Sequence, residues 1–552
     1  MDPDAPVFVP RFGAPAPAEV PDEKVEPEGE AGEEVTESWE DSAAGADSSE
    51  ARVSADNVNG DIGIVDNAAE EVKKVSIEEQ SSEPTAEPAA GPAEDVEETV
   101  GEEQEGEIIA NFEGSGDGKR HVNIVFIGHV DAGKSTISGH ILYLTGGVDE
   151  RTMEKFEREA KARNRESWKY AWALDTTEQE RNKGKTEECG RATFVTESKK
   201  FTILDAPGHK NFVPHMIGGA SQADVALLVI SARKGEFETG FERGGQTREH
   251  AMLAKTSGVR SLIVLINKMD DPTILLADGK WSKERYDECR EKLLPYLKQV
   301  GWRPSDLTWL PISGISGENL RLKVTPEICP WFKGEPLLDA LENLKPPERL
   351  MKAPVRFPIF EKYKEMGTVV MGKLESGVIT VNQRLVVMPS RGPIMIEAIQ
   401  LETGDDLKRA EPGDNLRLRL KGIEEEDVRI GSVICSEDHA IPGSNRFDVR
   451  LMILEHKSII TAGYSAVMHV NAAVVECSIE KLLAVLDKKT GEIATKNPRF
   501  AKPGMTVIAR ISTAQGVCIE PFKEFAQLGR FMIRDEGATI GVGVVLKIRD
   551  TP

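Results

Sequence analysis

The sequence lacks long apolar runs and paired cysteines. No stretch approaches the roughly 20 apolar residues that a membrane-spanning helix needs, and the first residues lack the basic and apolar regions of a secretory signal. Six cysteines stand far apart among 552 residues without a Cys-x-x-Cys pair, so neither a disulfide framework nor a zinc site is indicated. We therefore expect a soluble intracellular protein whose thiols are reduced and mostly buried.

Basic residues are scarce in the front part of the chain and only there. Residues 1–118 contain 34 Asp and Glu against 5 Lys and Arg, whereas residues 119–552 contain 59 against 64. The acidity is therefore confined to the front, and it excludes no nucleic-acid partner for the mildly basic remainder. The front part is also poor in large apolar residues, which predicts a disordered acidic N-terminal extension.

After residue 118 the sequence changes to apolar runs that alternate with helical patterns. The runs cover residues 122–127, 201–204, 225–230, 262–266 and 307–311, and the helical patterns cover 134–144, 247–257 and 282–300. This alternation is typical of a parallel sheet with helices on both faces. The charged stretch 151–172 also predicts a helix, with a solvated charged face. Because the helical patterns stop at Lys345-Pro346-Pro347, we assign residues 119–347 to one α/β domain.

Short runs of alternating apolar and polar residues dominate from residue 348 onward. Leu416, Leu418 and Leu420 alternate with arginines, for example, and Pro-Gly and Ser-Gly turns separate the runs. Such spacing predicts antiparallel barrels. About 200 residues exceed one small barrel, so we predict two, at residues 348–441 and 442–552.

The strongest functional motif lies between the first predicted strand and the first predicted helix. It fits Gly-x4-Gly-Lys-Ser/Thr, a loop whose backbone N–H groups surround a β-phosphate at a helix N-terminus. The motif consists of Gly128, His129, Val130, Asp131, Ala132, Gly133, Lys134, Ser135 and Thr136. The lysine would reach the β and γ oxygens, and Ser135 would ligate Mg²⁺. The motif predicts a P-loop nucleotide site.

A second motif indicates which base is bound. Asn267, Lys268 and Asp270 follow directly after a predicted strand. A carboxylate such as Asp270 can accept hydrogen bonds from guanine N1–H and the exocyclic amine, whereas adenine offers no such pair of donors. Lys268 would lie along the base, and Asn267 would tie this loop to the P-loop. Ser313-Gly314, after the last strand of the domain, could add backbone contacts to guanine O6.

The third motif, Asp205-Ala206-Pro207-Gly208-His209, also follows an apolar strand. Asp205 would hold Mg²⁺ through water, and the Gly208 N–H could contact the γ-phosphate. Phosphoryl transfer depends mainly on positioning and charge stabilisation. His209 is therefore our candidate catalytic residue, because it is placed to orient the attacking water.

These motifs, in this order and followed by two β domains, resemble the translational GTPases. Residues 119–552 are most similar to the eukaryotic release factor three family, through Gly184-Lys185-Thr186, residues 421–426 and residues 529–537; the acidic extension fits the same family. The resemblance implies an α/β P-loop GTPase domain, two antiparallel β-barrel domains, and GTP or GDP and Mg²⁺ as cofactors. It also implies hydrolysis stimulated by the ribosome, a class one release factor bound by the last barrel, and a cytoplasmic location.

Two further expectations accompany the resemblance. Thr186, by its position between the P-loop and Asp205, is our candidate for the second hydroxyl ligand of Mg²⁺. Residues 1–10 resemble the short motif by which disordered tails bind poly(A)-binding protein, with Ala5 and Phe8 as anchors. We expect no membrane association and no stable homo-oligomer.

The residues do not decide which partner the GTPase binds. A related GTPase that pairs with a Pelota-type factor to rescue stalled ribosomes shares the fold and the chemistry, and an elongation factor that carries aminoacyl-tRNA is a third possibility. In a different class, the chain would act mainly as a scaffold between poly(A)-binding protein and the ribosome. Only the last hypothesis predicts full activity from a variant that binds GTP but does not hydrolyse it.

Overall fold

The structure is a computed structural model of the chain. It describes residues 119–163, 165–174, 180, 186, 189–209, 212–242, 245–345, 349–402, 404–454, 459–487 and 491–549. The acidic extension, including Ala5 and Phe8, lies outside the described residues, so its predicted disorder stays a prediction.

The first domain is built on a six-stranded sheet with the strand order β2-β3-β1-β4-β5-β6. The strands are β1 (Arg120–Gly128), β2 (Gly190–Val195), β3 (Lys199–Asp205), β4 (Val225–Ser231), β5 (Ser261–Asn267) and β6 (Leu307–Pro311). The predicted parallel sheet is corrected at one edge, because β2 runs antiparallel to β3. Only residues 196–198 separate these two strands, and so short a connection requires a hairpin.

Helices cover both faces of this sheet and bury an apolar core on each. They are α1 (Lys134–Leu144), α2 (Glu150–Ala162), α3 (Val213–Gln222), α4 (Glu236–Phe241), α5 (Gln246–Thr256), α6 (Lys283–Val300) and α7 (Leu337–Glu342). Local signals set their ends. The Ser282 hydroxyl accepts a hydrogen bond from the Arg285 N–H at the start of α6, and Gly301 follows its end in the left-handed region.

The predicted helix over residues 151–172 is too long. The observed helix α2 ends at Ala162, and short 3-10 turns follow at Glu166–Trp168 and Ala171–Ala173. Burial of aromatic rings explains the break, because Tyr170 and Trp172 fold back onto Phe156 of α2 in a small apolar cluster. This returning segment reaches the functional site.

Two closed barrels follow, so the predicted fold class is confirmed. In the first, the ring is β7-β8-β14-β11-β10-β15, closed by the pairing of β10 with β11. Its strands are β7 (Arg356–Lys364), β8 (Thr368–Lys373), β9 (Ile379–Thr380), β10 (Arg384–Met388), β11 (Gly392–Leu401), β12 (Asp406–Leu407), β13 (Arg409–Ala410), β14 (Asn415–Lys421) and β15 (Val433–Cys435). Leu416, Leu418 and Leu420 point into its core, as their alternation predicts.

The second barrel has the ring β16-β22-β19-β18-β23-β24, closed by the pairing of β18 with β19. Its strands are β16 (Gly443–Ile453), β17 (Ile460–Thr461), β18 (Ser465–Val470), β19 (Ala473–Leu486), β20 (Ile493–Lys496), β21 (Phe500–Ala501), β22 (Thr506–Cys518), β23 (Arg530–Asp535) and β24 (Ala538–Ile548). The first barrel ends its last strand at Cys435, and the second begins at Gly443.

The cysteines are as expected: all six are free, five are buried, and Cys189 is half-buried. Burial raises the pKa of the Cys189 thiol to about 12, which makes it a poor nucleophile. Of the helices in the described part of the chain, none combines the length and the apolarity that a bilayer crossing requires.

Candidate functional site

The P-loop connects the end of β1 to the start of α1, as its motif predicts. Its backbone is left-handed at three positions, with φ of 141° at Gly128, 58° at Asp131 and 99° at Gly133. A Cβ at Gly128 would collide with the Val229 carbonyl oxygen, and one at Gly133 would collide with the Asn267 side chain. The two glycines are therefore required both by conformation and by close approach.

Lys134 lies folded beneath this loop. Its ammonium donates hydrogen bonds to the carbonyl oxygens of Gly128 (3.3 Å) and His129 (2.9 Å). Burial lowers the pKa of Lys134, although the charges of Asp205 and Asp131 oppose that effect. A partly desolvated ammonium beside the open N-terminus of α1 is well suited to an anionic ligand.

Asp205 lies behind Ser135 and is fully buried. Neither of its carboxylate oxygens has a partner at full hydrogen-bond geometry among the described residues. Burial raises the pKa of Asp205 to about 6, although the Lys134 charge and the nearby Ser135 hydroxyl oppose that effect. The hydroxyl oxygens of Ser135 and Thr186 lie 3.2 Å apart. Two hydroxyls and a buried carboxylate form a set of oxygen donors that fits Mg²⁺, which favours oxygen ligands and retains water.

Gly208 and His209 form the next part of the wall. A Cβ at Gly208 would lie 2.5 Å from Lys134 Nζ and 3.0 Å from the Val130 nitrogen, so the chain approaches the P-loop as closely as only glycine allows. The His209 ring is half-exposed in the cavity described below, with its centroid 6.0 Å from that of Phe212.

Asn267 connects the base-recognition loop to the P-loop, as predicted. Its amide nitrogen donates to the Ala132 carbonyl (2.8 Å), and its amide oxygen accepts from the Gly314 N–H (2.8 Å). Lys268 follows in the left-handed region at φ 63°, and its ammonium lies 2.7 Å from Glu236. This arrangement fixes the Lys268 side chain at the wall of the cavity.

The backbone amides of Ser313 and Gly314, which were predicted to contact guanine O6, already donate hydrogen bonds within the protein. The Ser313 N–H donates to the Glu318 carbonyl (3.2 Å), and the Gly314 N–H donates to Asn267. Both amides are therefore engaged. The next amide, that of Ile315, has no hydrogen-bond partner in the part of the chain that the structure describes, and Ile315 lines the cavity.

These elements surround one cavity of about 550 Å³, a volume within the range of small-ligand sites. The predicted residues that line it are Val130, Asp131, Gly133, Lys134, Ser135, Thr136, Thr186, Gly208, His209, Asn267, Lys268, Asp270 and Gly314. The predicted residues that lie outside its lining are Gly128, His129, Ala132, Asp205 and Ser313. The structure thus brings together motifs that are more than 170 residues apart in the chain.

Eight lining residues were not predicted, namely Ser167, Trp168, Ala171, Arg233, Glu236, Asp271, Pro272 and Ile315. Glu236 accepts hydrogen bonds from Lys268 (2.7 Å), Ser231 (2.7 Å) and Arg233 (2.8 Å). Burial favours its neutral form, but these donors outweigh burial and hold the pKa of Glu236 below its ordinary value. Its position just after a strand end was the available sequence signal.

His250 of α5 was also missed. Its Nδ1 accepts a hydrogen bond from the Gly128 N–H (3.1 Å), which fixes the tautomer with the proton on Nε2. Burial, followed by the nearby Lys134 charge, lowers its pKa to about 3. A neutral imidazole therefore supports the first residue of the P-loop from behind.

Comparison with known proteins identifies the domain that carries this site and the two domains that follow it. Residues 119–347 match the elongation factor Tu GTP binding domain, residues 367–435 match elongation factor Tu domain 2, and residues 446–546 match the GTP-eEF1A C-terminal domain-like family. Residues 119–347 therefore form an elongation factor Tu type GTP-binding domain, and the two barrels that follow match the second and third of these families.

The chain is also similar to eukaryotic peptide chain release factor GTP-binding subunits. It is 51% identical to that of Kluyveromyces lactis over 432 residues, which cover 78% of this chain and 61% of the relative. It is 50% identical to that of Schizosaccharomyces pombe over 435 residues, or 78% of this chain and 65% of the relative. The chain thus spans less than two thirds of the length of either relative. The resemblance drawn from the motifs is confirmed.

The fold has solved counterparts as well. The GTPase-like domain of Saccharomyces cerevisiae Ski7, bound to GTP, aligns with a TM-score of 0.63 at 18% identity and covers 77% of this chain and 97% of that one. At this identity the likeness concerns the fold alone.

Proposed function

We propose that this chain is the GTP-binding subunit of a eukaryotic peptide chain release factor, which hydrolyses GTP to GDP and phosphate during translation termination. The observation that carries the proposal is the single cavity that both Lys134, at the phosphate end, and Asp270, at the base end, line. The similarity to release factor GTP-binding subunits over 78% of the chain supports a class one release factor as the partner.

In this proposal, Lys134 and the amides of the P-loop bind the phosphates, since buried cations and oriented N–H groups favour anions. Asp270 accepts the two donors on the guanine edge, and the Ile315 N–H, which is free of other described partners, donates to guanine O6. Ser135, Thr186 and Asp205 would hold Mg²⁺, which would neutralise phosphate charge.

Hydrolysis requires a water molecule to attack the γ-phosphorus while the bond to the β–γ bridging oxygen breaks. His209 lies beside Gly208 at this end of the cavity, and we assign it the orientation of that water. The bridging oxygen leaves with GDP, the water oxygen stays on the γ-phosphorus, and the water proton goes to the inorganic phosphate so formed, so no side chain is altered at the end of the reaction. We infer a low intrinsic rate, with stimulation by the ribosome of about 10³- to 10⁵-fold, as for other GTPases activated in trans.

The partners are a class one release factor and the ribosome, in the cytoplasm. Residues 119–552 carry a mildly basic net charge, which is compatible with binding to the ribosome, a particle rich in nucleic acid. Ala5 and Phe8 would bind poly(A)-binding protein; this assignment rests on the sequence of residues 1–10 alone.

The test uses the full chain with ribosomes and a class one release factor. We expect binding of GTP over ATP and hydrolysis that accelerates only when both partners are present. His209→Ala should abolish the acceleration and leave nucleotide affinity nearly unchanged. His215→Ala is the matched control, because His215 is exposed on α3 and outside the cavity lining.

Three outcomes would contradict the proposal. Stimulated hydrolysis by His209→Ala would remove His209 from its role. Recovery of a Pelota-type factor, and no class one release factor, from a cell extract would favour ribosome rescue. Full termination activity with a variant that binds but does not hydrolyse GTP would favour a scaffold.

A further inference from the structure

A buried histidine outside every motif connects two walls of the cavity. His140 lies on α1, six residues and about 9 Å along the helix axis from Lys134. Its side chain is 5% exposed, so its neighbours, and not solvent, set its hydrogen bonding. None of the roles proposed above uses it.

The first contact of His140 reaches the guanine end of the site. Its Nδ1 lies 2.8 Å from the Gly314 carbonyl oxygen. Because a carbonyl can only accept, Nδ1 carries the proton. The Gly314 N–H donates on the other side to Asn267 (2.8 Å). Two side chains from different elements therefore hold the Gly314 residue from its amide and its carbonyl, immediately before Ile315.

The shape of the same loop confirms how closely the imidazole fits. A Cβ at Gly317 would lie 2.7 Å from His140 Cε1, and Gly317 has a left-handed φ of 81°. The ring thus packs closely against the backbone at Gly314 and Gly317, so a change in its orientation would displace this loop.

The second contact reaches the opposite wall. The His140 ring stacks on the Tyr170 ring, with centroids 4.0 Å apart and planes 8° apart. Tyr170 is buried, and its neighbours Trp168 and Ala171 line the cavity. A Cβ at Gly139 would overlap the Tyr170 carbonyl oxygen, so α1 and this segment are in direct backbone contact. In the chain, the segment precedes Thr186.

The charge state of His140 agrees with both contacts. Burial lowers its pKa, and Lys169 adds to that effect against the hydrogen bond to Gly314. A neutral ring with its proton on Nδ1 can donate to Gly314 and stack on Tyr170 at the same time.

We propose that His140 is a positioning residue with two separable effects. Through Gly314 it sets the affinity for guanine, and through Tyr170 it sets the preference for GTP over GDP. The inference rests on the proposed nucleotide site and deepens it. The second effect is inferred because Trp168 and Ala171, near Tyr170, line the same cavity as Thr186. The Thr186 hydroxyl lies 3.2 Å from that of Ser135, and we assign both hydroxyls to the Mg²⁺ of the bound triphosphate.

Two substitutions in the full chain separate these effects. His140→Phe keeps a flat ring for Tyr170 and removes the donor to Gly314. We expect it to weaken GDP and GTP alike, by about 3- to 10-fold, with an unchanged ratio. His140→Asn keeps an N–H near the position of Nδ1 and removes the stacking. We expect nearly normal GDP affinity and GTP affinity lowered by about 3-fold or more.

A second pair of variants tests the stacking without touching His140. Tyr170→Leu should reproduce the nucleotide ratio of His140→Asn, whereas Tyr170→Phe should match the wild type. Calorimetric titration with GDP and with a nonhydrolysable GTP analogue measures the affinities, and thermal unfolding identifies variants that fail to fold. The Tyr170 pair keeps the test decisive if a His140 variant does not fold.

The outcomes distinguish a failure of this inference from a failure of the proposed function on which it rests. If the wild type binds guanine nucleotides and the two His140 variants lower GDP and GTP affinity in the same proportion, His140 is only structural and the inference is wrong. Unchanged affinities in both variants would overturn it equally. Failure of the wild type to bind any guanine nucleotide would overturn the proposed function and the inference together.

Discussion

The carboxylate of Asp224 lies 3.0 Å from the ammonium of Lys373, and both side chains are almost fully buried. Asp224 precedes β4 of the GTP-binding domain, and Lys373 ends β8 of the first barrel. Burial opposes ionisation of Asp224, but the charges of Lys373 and Arg349 hold its pKa below the ordinary value. The same carboxylate accepts a hydrogen bond from the Asn123 N–H (3.0 Å). This buried ion pair therefore helps to join the first barrel to the sheet that carries the P-loop.

Asp224→Ala should lower the free energy of unfolding by about 3 kcal/mol, because the buried Lys373 charge loses its partner at 3.0 Å and keeps only Glu375, 3.9 Å away. Urea unfolding followed by circular dichroism measures the change. The double variant Asp224→Ala, Lys373→Met should recover part of the loss, because it removes the buried Lys373 charge, and the neighbouring buried Glu375 has a pKa that burial raises toward its neutral form. A double variant no more stable than the single one would contradict this account.

A surface pair provides the control. Asp278 and Lys280 lie 2.6 Å apart, but both side chains are exposed. Asp278→Ala should therefore cost less than about 1 kcal/mol.

His250 predicts a dependence of stability on pH. The folded protein keeps this imidazole neutral with a pKa of about 3, whereas the unfolded chain protonates it below about 6.5. Its contribution to stability is therefore complete above the unfolded pKa and falls as the pH drops toward 3. At pH 5.5 the loss should be about 1.4 kcal/mol for this one group.

His250→Asn isolates that contribution. An asparagine oxygen can accept from the Gly128 N–H without titrating, so the variant should lose less stability than the wild type between pH 7.5 and 5.5. Thermal unfolding midpoints across this range provide the measurement. Equal slopes for the two proteins would show that His250 does not carry the dependence.

Local signals predicted most of the fold. The sequence predicts α1 with its observed ends, because a glycine-rich turn precedes it and its apolar spacing is helical. By contrast, the antiparallel strand β2 was missed, since its partly exposed residues Gly190–Val195 do not form an apolar run. The end of α2 was missed because burial of Tyr170 and Trp172 depends on tertiary contact.

The same contrast between local sequence signals and tertiary contacts explains which site residues could be predicted from the sequence. Lys134, Asp205 and Asp270 belong to short motifs whose chemistry is readable in sequence, and Lys134 and Asp270 line the cavity while Asp205 lies directly behind it. Glu236 and His140 act through residues that are distant in the chain. Neither belongs to a motif, so their roles appear only when the fold brings their partners near.

Asp270→Asn should weaken GTP binding by about 10- to 150-fold, because a charged acceptor for two donors of guanine is lost. Its new amide N–H should favour a base with a carbonyl at that position, so affinity for xanthosine triphosphate should rise. Competition titration with the two nucleotides measures both changes. Asp271→Asn is the control, since that carboxylate is engaged by Arg233 and Thr273 and should not gain xanthosine affinity. Unchanged GTP binding by Asp270→Asn would exclude Asp270 from the site.

Glu236→Gln should weaken GDP and GTP by about 3- to 10-fold, because the ammonium of Lys268 loses a charged partner at 2.7 Å. Lys268 holds a left-handed backbone conformation at the cavity wall, and its side chain position depends on that partner. Glu238→Gln is the matched control: it removes the same charge from the same helix, but its partner is Arg285, which does not line the cavity. Nucleotide dissociation rates of the two variants provide the measurement. Faster release from Glu236→Gln alone would support the role of the Lys268 contact. Equal rates would show that Glu236 has no specific role in nucleotide binding.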